Sequence, residues 1–519
     1  MKYITKIKLR NFKKFTSIEI PFKEDLNLFI GDNEAGKSTI LSAIDVVLSG
    51  SRNKVETIGV ESLFNRKVID TFLSGSKKYE DLPILYAELY LNDQDNEQLD
   101  GQYNSTGISS HGMMLELLPN NELVTEIKEI LAQAEANFPF EYYLIHFKTF
   151  AGESYTGYRR FMNHLLIDNS QISNEYATNS YIKSLYNQNV KSTEKIKHQN
   201  EYRKHKQDFK DRVLIDLNNR VTAEYGFSLK TNKKSNLDVD LTIQEGNIDI
   251  TQKGKGRQCF VKTDFALAGA EFDLDIVLLE EPENNLSHLN MRRLVKRIGE
   301  SSNKQLFIAT HNDLVSTRLG LKSAKLLNSS SDIVSSLEDL SKETASFFMK
   351  APDNNILEFV LSQKVVFVEG DAEFILVERF YIDTFDKLPS EDGIHFISVG
   401  GTSFKRYLEI SNLLKIKTVI IRDNDGDYEN NCVDRYKDFV SDDIAIFSET
   451  DNDVTTFEVS MYNANVDLCE QIFSSDGRVL PIQDYMLKNK ADAAFELLST
   501  NEKVVVPDYI IEAFKWIRE

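Results

Sequence analysis

The feature that most constrains this chain is a loop near its start, Gly31-Asp32-Asn33-Glu34-Ala35-Gly36-Lys37-Ser38. It fits G-x-x-x-x-G-K-[ST] at every fixed position, follows a short apolar stretch and precedes a helical pattern over 38–48. A loop of this kind, between a strand and a helix, surrounds phosphate groups with backbone N–H groups. The pattern therefore predicts an α/β domain that binds ATP and Mg²⁺.

Two further segments complete the predicted nucleotide site. Lys37 is expected to reach the β and γ phosphates and Ser38 to bind Mg²⁺. The apolar run 276–279 is followed by Glu280, which would support the Mg²⁺ shell, and by Glu281, which would orient or deprotonate the attacking water. His311 follows the apolar run 305–309 and is the predicted sensor of the γ-phosphate. The remaining predicted nucleotide contacts are Asn33, Gly36 and Thr39.

Composition excludes several classes of protein. The 519 residues carry 61 Lys and Arg against 81 Asp and Glu, a formal charge of −20, so the chain is not a basic nucleic-acid coat. Its three scattered cysteines form no CxxC pair, which argues against a disulfide framework or a cysteine zinc site. With no signal-peptide pattern and no apolar run near 18 residues, a cytoplasmic protein without a membrane segment is expected.

A second α/β pattern begins at Lys364, and its strands end in carboxylates. One apolar run precedes Glu369, with Glu373 four residues on, and another precedes the pair Asp423 and Asp425. Four carboxylates at the ends of parallel strands cannot all ionise cheaply unless cations offset them. Oxygen ligands suit Mg²⁺ or Mn²⁺, and two such ions can clamp the oxygens of a phosphodiester.

Between these patterns lies a polar segment, 155–235, which is predicted to contain long helices. Between residues 183 and 234 it holds thirteen Lys or Arg against six Asp or Glu, opposite to the balance of the whole chain. Two interpretations stay open, a helical arm for dimerisation and a nucleic-acid contact surface. The alternation over 239–243 predicts a strand after it.

The N-terminal motifs resemble the ATPase heads of the SMC, RecF and Rad50 type, through the opening 9–15 and the loop 31–39. This resemblance implies that ATP is bound between two subunits. The phosphate-binding loop of each subunit is completed by a signature loop from the other. The best candidate for that loop is 252–258, with Gly254 and Gly256. Gln252 stands where the family usually has Ser, which leaves open whether ATP is hydrolysed or only bound.

The C-terminal motifs resemble a Toprim domain, and the whole arrangement resembles the overcoming-lysogenization-defect (OLD) family of nucleases. The resemblance implies metal ligands at Glu369, Glu373, Asp423 and Asp425, with Glu369 and Asp423 also catalytic. It adds Glu458 as a further ligand and Lys490 as the lysine that assists catalysis. Family members in anti-phage defence act alone, with a helicase-like partner, or beside a retron reverse transcriptase and its DNA.

The expected fold is α/β, an ABC-type P-loop ATPase head with an inserted helical arm, followed by a Rossmann-like Toprim domain. The expected boundaries are 1–154 and 236–345 for the head, 155–235 for the arm and 346–519 for the Toprim domain. The leading hypothesis is an ATP-regulated, metal-dependent DNA endonuclease that forms a homodimer or higher homo-oligomer. The alternatives are an SMC- or RecF-like DNA-organising ATPase without cleavage, and a Toprim RNase acting on tRNA.

Overall fold

The computed structural model divides the chain into two compact units. The first comprises Met1–His311 with Leu327–Val334, and the second comprises Asn312–Leu326 with Ser335–Glu519. The structure describes residues 1–133, 135–157, 161–169, 175–220, 225–230, 237–267, 274–300, 303–329, 332–350, 355–401, 403–474 and 480–519.

The strands of the first unit form two main sheets. They are β1 (Ile4–Phe12), β2 (Phe15–Pro21), β3 (Leu26–Gly31), β4 (Leu85–Leu91), β5 (Asp100–Gly101), β6 (Ser110–Pro119), β7 (Tyr143–Thr149), β8 (His164–Asp168), β9 (Gln244–Glu245), β10 (Ile248–Asp249), β11 (Ile276–Glu280) and β12 (Gln305–Thr310). One sheet is antiparallel, in the order β2-β1-β4-β6, with β5 and β7 both paired to β6. In β1, buried residues such as Ile7 and Leu9 alternate with residues on the other face, as expected for a sheet with one packed side.

The second sheet of this unit positions the nucleotide motifs. Strands β8, β11, β12 and β3 lie side by side in that order and run parallel. Residues 276–279 are fully buried, as their continuous apolarity predicts for a strand covered on both faces. Because the strands are parallel, the loop after Gly31, the carboxylate of Glu280 and the residue His311 all follow carboxyl ends of the same sheet, where α/β ligand sites form.

The helices of the first unit are α1 (Lys37–Ser49), α2 (Arg52–Ile58), α3 (Val60–Leu63), α4 (Arg66–Ser74), α5 (Val124–Leu131), α6 (Glu175–Asn189), α7 (Ser192–Arg212), α8 (Ile215–Asn218), α9 (Leu237–Asp240), α10 (Lys255–Leu267) and α11 (His288–Gly299). Ten of the thirteen residues of α1 are buried, so this helix is packed on most of its surface. Asp45 lies inside that packed surface, where its carboxylate forms an ion pair with Lys54 and lies 3.1 Å from the ring of His164.

We expect Asp45→Asn to lower the free energy of unfolding by about 1–3 kcal/mol at pH 7, because it removes the charge from a buried, paired group. Burial alone would raise the pKa of Asp45, but Lys54 and the hydrogen bond with His164 outweigh it and hold that pKa well below its usual value. A depressed carboxyl pKa stabilises the fold above the unfolded pKa of about 4, and this contribution is lost as the pH falls below it. Urea unfolding measured from pH 7 to pH 3 should therefore show that the difference in the free energy of unfolding between Asp45→Asn and wild type becomes smaller. Asp70→Asn, at an exposed ion pair, is the control and should change stability by less than about 1 kcal/mol.

The strand predicted over 239–243 is wrong, because residues Leu237–Asp240 form a short helix. Val239 is 43% exposed, so the alternating apolar residues have no sheet to cover. Charge pairing holds this helix instead, since Asp238 lies 3.7 Å from both Lys183 and Lys195. Helices α6 and α7 agree with the predicted helical segment, while its Lys233 and Lys234 lie outside the described residues.

The second unit contains a parallel sheet of four strands in the order β16-β15-β17-β18. The strands of this sheet are β15 (Lys364–Val368), β16 (Ile394–Ser398), β17 (Lys417–Ile421) and β18 (Ile444–Phe447), whereas β13 (Ala324–Leu327) and β14 (Val334–Ser336) each contain residues of both units. The remaining helices are α12 (Asp313–Leu319), α13 (Lys342–Lys350), α14 (Ile356–Leu361), α15 (Asp371–Phe385), α16 (Phe404–Leu414), α17 (Phe457–Ala464), α18 (Val466–Phe473), α19 (Ile482–Lys488), α20 (Lys490–Ser499) and α21 (Asp508–Arg518). The expected mixed α/β fold is confirmed, and the carboxyl ends of β15 and β17 carry the predicted acidic residues.

Among the residues that the structure describes, none of the helices combines the length and apolar character needed to cross a bilayer.

Candidate functional site

The loop after β3 has the backbone of a phosphate-binding loop. Gly36 immediately precedes α1 and has φ +97°, and a Cβ there would lie 2.5 Å from the Phe15 ring, so only glycine fits. The unpaired N–H groups of the first turn of α1 are therefore directed into the loop. Ser38 and Asn33 are exposed, whereas Thr39 is buried in the first turn.

The ammonium group of Lys37 is held by the loop itself. It donates to the carbonyl oxygens of Gly31 and Asp32, the latter at 2.8 Å. Burial lowers the pKa of Lys37, although the carboxylates of Glu281 and Asp32 oppose the shift. A bound phosphate oxygen would meet a partly desolvated cation, which strengthens the attraction between them.

Ser38 and Glu280 meet where the loop and the end of β11 approach each other. Burial raises the pKa of Glu280, while a hydrogen bond with Ser38 opposes the rise. Asp168 lies opposite Glu280 in the register of β8 and β11, and its charge raises that pKa further. A hydroxyl beside desolvated carboxylates is an oxygen donor set that suits Mg²⁺.

Beyond Glu280 the chain turns sharply and places Glu281 and Glu283 beside His311. Glu281 has φ +45°, and its N–H donates to the carbonyl of Ala309 at 2.9 Å. The Nδ1 atom of His311 lies 3.6 Å from Oε1 of Glu281 and 3.6 Å from Oε1 of Glu283. Glu283 was not predicted from the sequence, although the Glu-Pro-Glu pattern that places a third carboxylate here is visible in it.

The predicted signature loop leads into α10. Its Lys253 and Arg257 both pair with Glu245, and these hydrogen bonds lower the pKa of Glu245 to about 2. A Cβ on Gly256 would lie 2.1 Å from the carbonyl oxygen of Asn285, so this loop approaches the turn after Glu281 closely. The contact of Gly254 and Gly256 with the nucleotide of a second copy stays a prediction.

A separate carboxylate cluster occupies the carboxyl ends of β15 and β17 in the second unit. Glu369 follows β15, Glu373 lies in the first turn of α15, and Asp423 follows β17 closely. Glu458, in the first turn of α17, joins them from a later helix. Asp423 also accepts a hydrogen bond of 2.7 Å from the N–H of Phe457, which ties α17 to the strand end.

The carboxyl groups of this cluster repel one another. Burial and the charge of Glu373 raise the pKa of Asp423 to about 8, with Glu458 and Glu369 contributing. Burial raises the pKa of Glu373 to about 7, with Glu458 and Glu369 again contributing. Lys490 supplies a cation, since its Nζ lies 3.0 Å from Oε2 of Glu458. Burial would lower the pKa of Lys490, but the pair with Glu458 outweighs it and raises that pKa.

The chemistry of this cluster fits a divalent cation. Its donors are all oxygen atoms, and Oε2 of Glu369 is buried without a hydrogen-bond partner among the described residues. Within the same described ranges, no three His, Cys, Asp or Glu side chains already stand at the spacing of a completed metal site. Burial and mutual repulsion raise the pKa values of Glu373 and Asp423, and a cation would relieve the repulsion. The residues therefore fit a metal whose binding draws them closer.

Asp425 is placed differently from the other predicted ligands. It is about half exposed, has φ +51°, and pairs at 3.0 Å with Arg422, whose side chain is fully buried. Arg422 also donates to the carbonyl oxygens of Asp423 and Asn431 and to the hydroxyl of Tyr436. Arg422 thus fixes the loop that carries Asp423, and the sequence, with a single arginine after an apolar run, does not predict this role. Metal binding by Asp425 stays a prediction.

Comparisons with known proteins agree with both halves of this arrangement. A family model described as AAA ATPase domain matches residues 1–219, and one described as overcoming lysogenization defect protein-like, TOPRIM domain, matches residues 360–425. The endonuclease GajA of Bacillus cereus is 23% identical over 466 residues, which is 81% of this chain and 74% of that protein.

Shorter matches each cover less than a fifth of the chain. The chromosome partition protein Smc of Halothermothrix orenii is 33% identical over 94 residues, 18% of this chain but only 7% of that protein. The replication and repair protein RecF of Clostridium kluyveri is 34% identical over 92 residues, 14% of this chain and 25% of that protein.

Among solved structures, the Smc head domain of Pyrococcus furiosus bound to the C-terminal domain of ScpA covers 67% of this chain and 100% of that chain, with 17% identity and a TM-score of 0.37. The C-terminal region of the Burkholderia pseudomallei OLD protein covers 30% of this chain and 97% of that chain, with 22% identity and a TM-score of 0.25. Because these TM-scores are low, the two domains are assigned from the family models and the relatives alone. Short segments of the chain are similar in sequence to SMC and RecF proteins, and the chain joins an N-terminal AAA ATPase domain to a C-terminal TOPRIM domain of the overcoming-lysogenization-defect type.

Proposed function

We propose that this protein is an ATP-binding, divalent-metal-dependent endonuclease that hydrolyses phosphodiester bonds in DNA. The observation that carries the proposal is the cluster of Glu369, Glu373, Asp423 and Glu458, in which burial and the neighbouring carboxylates raise the pKa of Glu373 to about 7 and that of Asp423 to about 8. Glu369, Glu373 and Asp423 lie within the segment that matches the TOPRIM model, and the endonuclease GajA is a relative over most of the chain.

In this proposal the four carboxylates hold the metal, Mg²⁺ with Mn²⁺ as an alternative, and Asp425 is a further ligand. When bound, such a cation stabilises the charge that develops on the phosphate and activates a water molecule. Lys490 keeps a positive charge beside Glu458 and can neutralise the phosphate or the leaving oxygen. Arg422 holds the backbone of Asp423, which keeps its carboxylate oriented for the metal.

The ATPase unit is proposed to control the nuclease. Lys37, Ser38 and Glu280 would bind the triphosphate and Mg²⁺, with Asn33, Gly36 and Thr39 as further contacts, while Glu281 and His311 act at the γ-phosphate. Gly254 and Gly256 would complete the site of a second copy, which makes the active form a homodimer or a larger homo-oligomer. Nucleotide held in this interface would restrain cleavage, and activation of cleavage by nucleotide is the alternative.

A cavity of about 510 Å³ in the same unit is proposed to hold the nucleoside of ATP. Its lining includes Thr16, Lys67, Val68, Phe72 and Asp81, so apolar walls alternate with polar groups. Thr16 directly follows Phe15, whose ring meets Gly36 of the loop.

The domain boundaries proposed for this function are 1–154 and 236–345 for the ATPase, 155–235 for the arm and 346–519 for the nuclease. The arm carries exposed apolar side chains between cationic ones, which leaves both dimerisation and nucleic-acid contact as roles. The exposed apolar residues of the described part of the arm are Ile196, Phe209, Val213, Ile215, Leu217, Tyr225, Phe227 and Leu229.

The biological setting proposed from the resemblance is anti-phage defence in the cytoplasm, alone or with a helicase or a retron reverse transcriptase and its DNA. A second candidate function, a DNA-organising ATPase without cleavage, is favoured by the short matches to Smc and RecF. The third, a nuclease acting on tRNA, uses the same carboxylate cluster.

One substrate panel separates these functions. Purified protein is incubated with supercoiled plasmid, linear DNA and tRNA, with Mg²⁺, Mn²⁺ or EDTA, and each with or without ATP. The proposal expects metal-dependent nicking of DNA that EDTA abolishes and that ATP changes in rate. Cleavage of tRNA alone would establish the RNase, and no cleavage of any substrate beside active ATP hydrolysis would favour the DNA-organising ATPase.

A further inference from the structure

Glu283 is a buried carboxylate outside the predicted catalytic set. Its side chain is 5% exposed, although it lies in a turn only two residues after Glu281. Oε1 of Glu283 accepts a hydrogen bond of 2.6 Å from the hydroxyl of Thr310 and one of 3.2 Å from the N–H of His311. Its other oxygen, Oε2, is buried and has no hydrogen-bond partner among the described residues.

These contacts act on His311 from two directions. The carboxylate fixes the backbone of His311 where the chain leaves β12, and the same oxygen lies 3.6 Å from the ring atom Nδ1. Glu281 lies at the same distance from Nδ1, so one edge of the imidazole faces two carboxylates. The opposite edge, with Nε2, is turned away from them, and the side chain is 52% exposed.

We propose that Glu283 is a positioning residue for His311: it holds the imidazole with Nδ1–H facing the carboxylates, so that Nε2 faces the water that attacks the γ-phosphate. An imidazole nitrogen beside carboxylates carries the proton, which leaves Nε2 of the neutral ring as an acceptor for a hydrogen bond from that water. Glu283 thereby sets the tautomer and orientation of the sensor and does not itself touch the nucleotide. The inference rests on the proposed ATP site, and it adds a residue to that site.

The alternative is a purely structural clamp between the turn after β11 and the end of β12. Glu283→Gln separates the two, because the amide oxygen still accepts from Thr310 and His311 while the negative charge is gone. If Glu283 only joins these two segments, Glu283→Gln should change the kcat of ATP hydrolysis little. A positioning residue should lose about tenfold in the kcat of ATP hydrolysis, with KM changed less than twofold and the melting temperature preserved.

The double variant makes the assignment specific to His311. Glu283→Gln should have no further effect in a His311→Asn background, because both substitutions remove the same oriented imidazole. Glu300→Gln, at a surface ion pair of α11, is the matched control and should leave kcat unchanged. Independent, multiplicative losses in the double variant, or an unchanged kcat in Glu283→Gln, would overturn the proposal.

A second readout needs no turnover and so separates this proposal from the proposed function. Nitrogen chemical shifts of ¹⁵N-labelled histidine report the tautomer of each ring, and the signal of His311 is the one missing in His311→Asn. The proposal expects the Nδ1–H tautomer for wild type and a mixture of tautomers for Glu283→Gln. An Nε2–H ring in both proteins would refute it, whereas the expected shifts in a protein that hydrolyses no ATP would uphold the positioning and refute only the ATPase.

Discussion

Asp423→Asn is expected to abolish metal-dependent cleavage, with a loss on the order of 10³-fold or more. Asp423 stands between Glu373, Glu458 and Glu369 and has the most strongly raised pKa of the cluster, about 8. An amide cannot supply the negative charge that a divalent cation requires, so both metal affinity and rate should fall. The measurement is the rate of plasmid nicking over a range of Mn²⁺ concentrations.

The fold should survive this change. Asparagine keeps an oxygen that can accept the hydrogen bond from Phe457, and it removes one of the charges that repel each other. With EDTA present, the melting temperature of Asp423→Asn should therefore equal or exceed that of wild type. Added Mn²⁺ should raise the melting temperature of wild type but not of the variant.

The control for both measurements is Asp438→Asn, which changes an exposed aspartate of the same unit. It should retain cleavage and the stabilisation by Mn²⁺. An Asp423→Asn protein that still nicks plasmid at the wild-type rate would place the chemistry outside this cluster.

Lys37→Ala is expected to remove ATP binding and to lower ATP hydrolysis by at least about 10²-fold. The ammonium group is the main cation of the loop, and its burial makes its attraction to phosphate stronger than in water. Calorimetric titration with ATP and Mg²⁺ measures the loss directly. A saturating nucleotide should stabilise wild type by about 2.7 kcal/mol at a hundred times Kd, and this gain should vanish in the variant.

Because Lys37 also donates to the carbonyls of Gly31 and Asp32, its removal changes the loop as well as the charge. Lys296→Ala, at an exposed lysine of α11, controls for the loss of a lysine and should bind ATP normally. In Lys37→Ala the metal-dependent nicking should persist and no longer respond to ATP. Nicking that still responds to ATP would contradict control through this loop.

The sequence was sufficient for those parts of the site that lie in local patterns. The glycine loop before α1 and the carboxylates after β11, β15 and β17 follow from apolar runs that end in fixed residue types. The strand direction then brings them to one edge of each sheet, as the parallel registers show. Ser38 and Glu280, each predicted separately to serve Mg²⁺, lie within hydrogen-bonding reach of each other.

What the sequence missed depends on contacts between distant residues. Nothing local distinguishes Glu283 from a surface glutamate, because its role comes from Thr310 and His311, which are brought beside it by the pairing of β11 and β12. Arg422 likewise becomes a fixing residue only through Tyr436 and Asn431. The wrong strand over 239–243 shows the converse, an alternating pattern in which Val239 is exposed and Leu241 and Ile243 are only partly buried, because Leu237–Asp240 form a helix.

The most direct test of the account is one experiment with three proteins and two readouts. Wild type, Asp423→Asn and Lys37→Ala are each assayed for plasmid nicking with Mn²⁺ and for release of phosphate from ATP. The account predicts that Asp423→Asn loses nicking and keeps ATP hydrolysis or ATP binding, while Lys37→Ala loses both nucleotide functions and keeps nicking. Nicking by Asp423→Asn at the wild-type rate, or no nicking by wild type on any nucleic acid with either metal, would contradict the account.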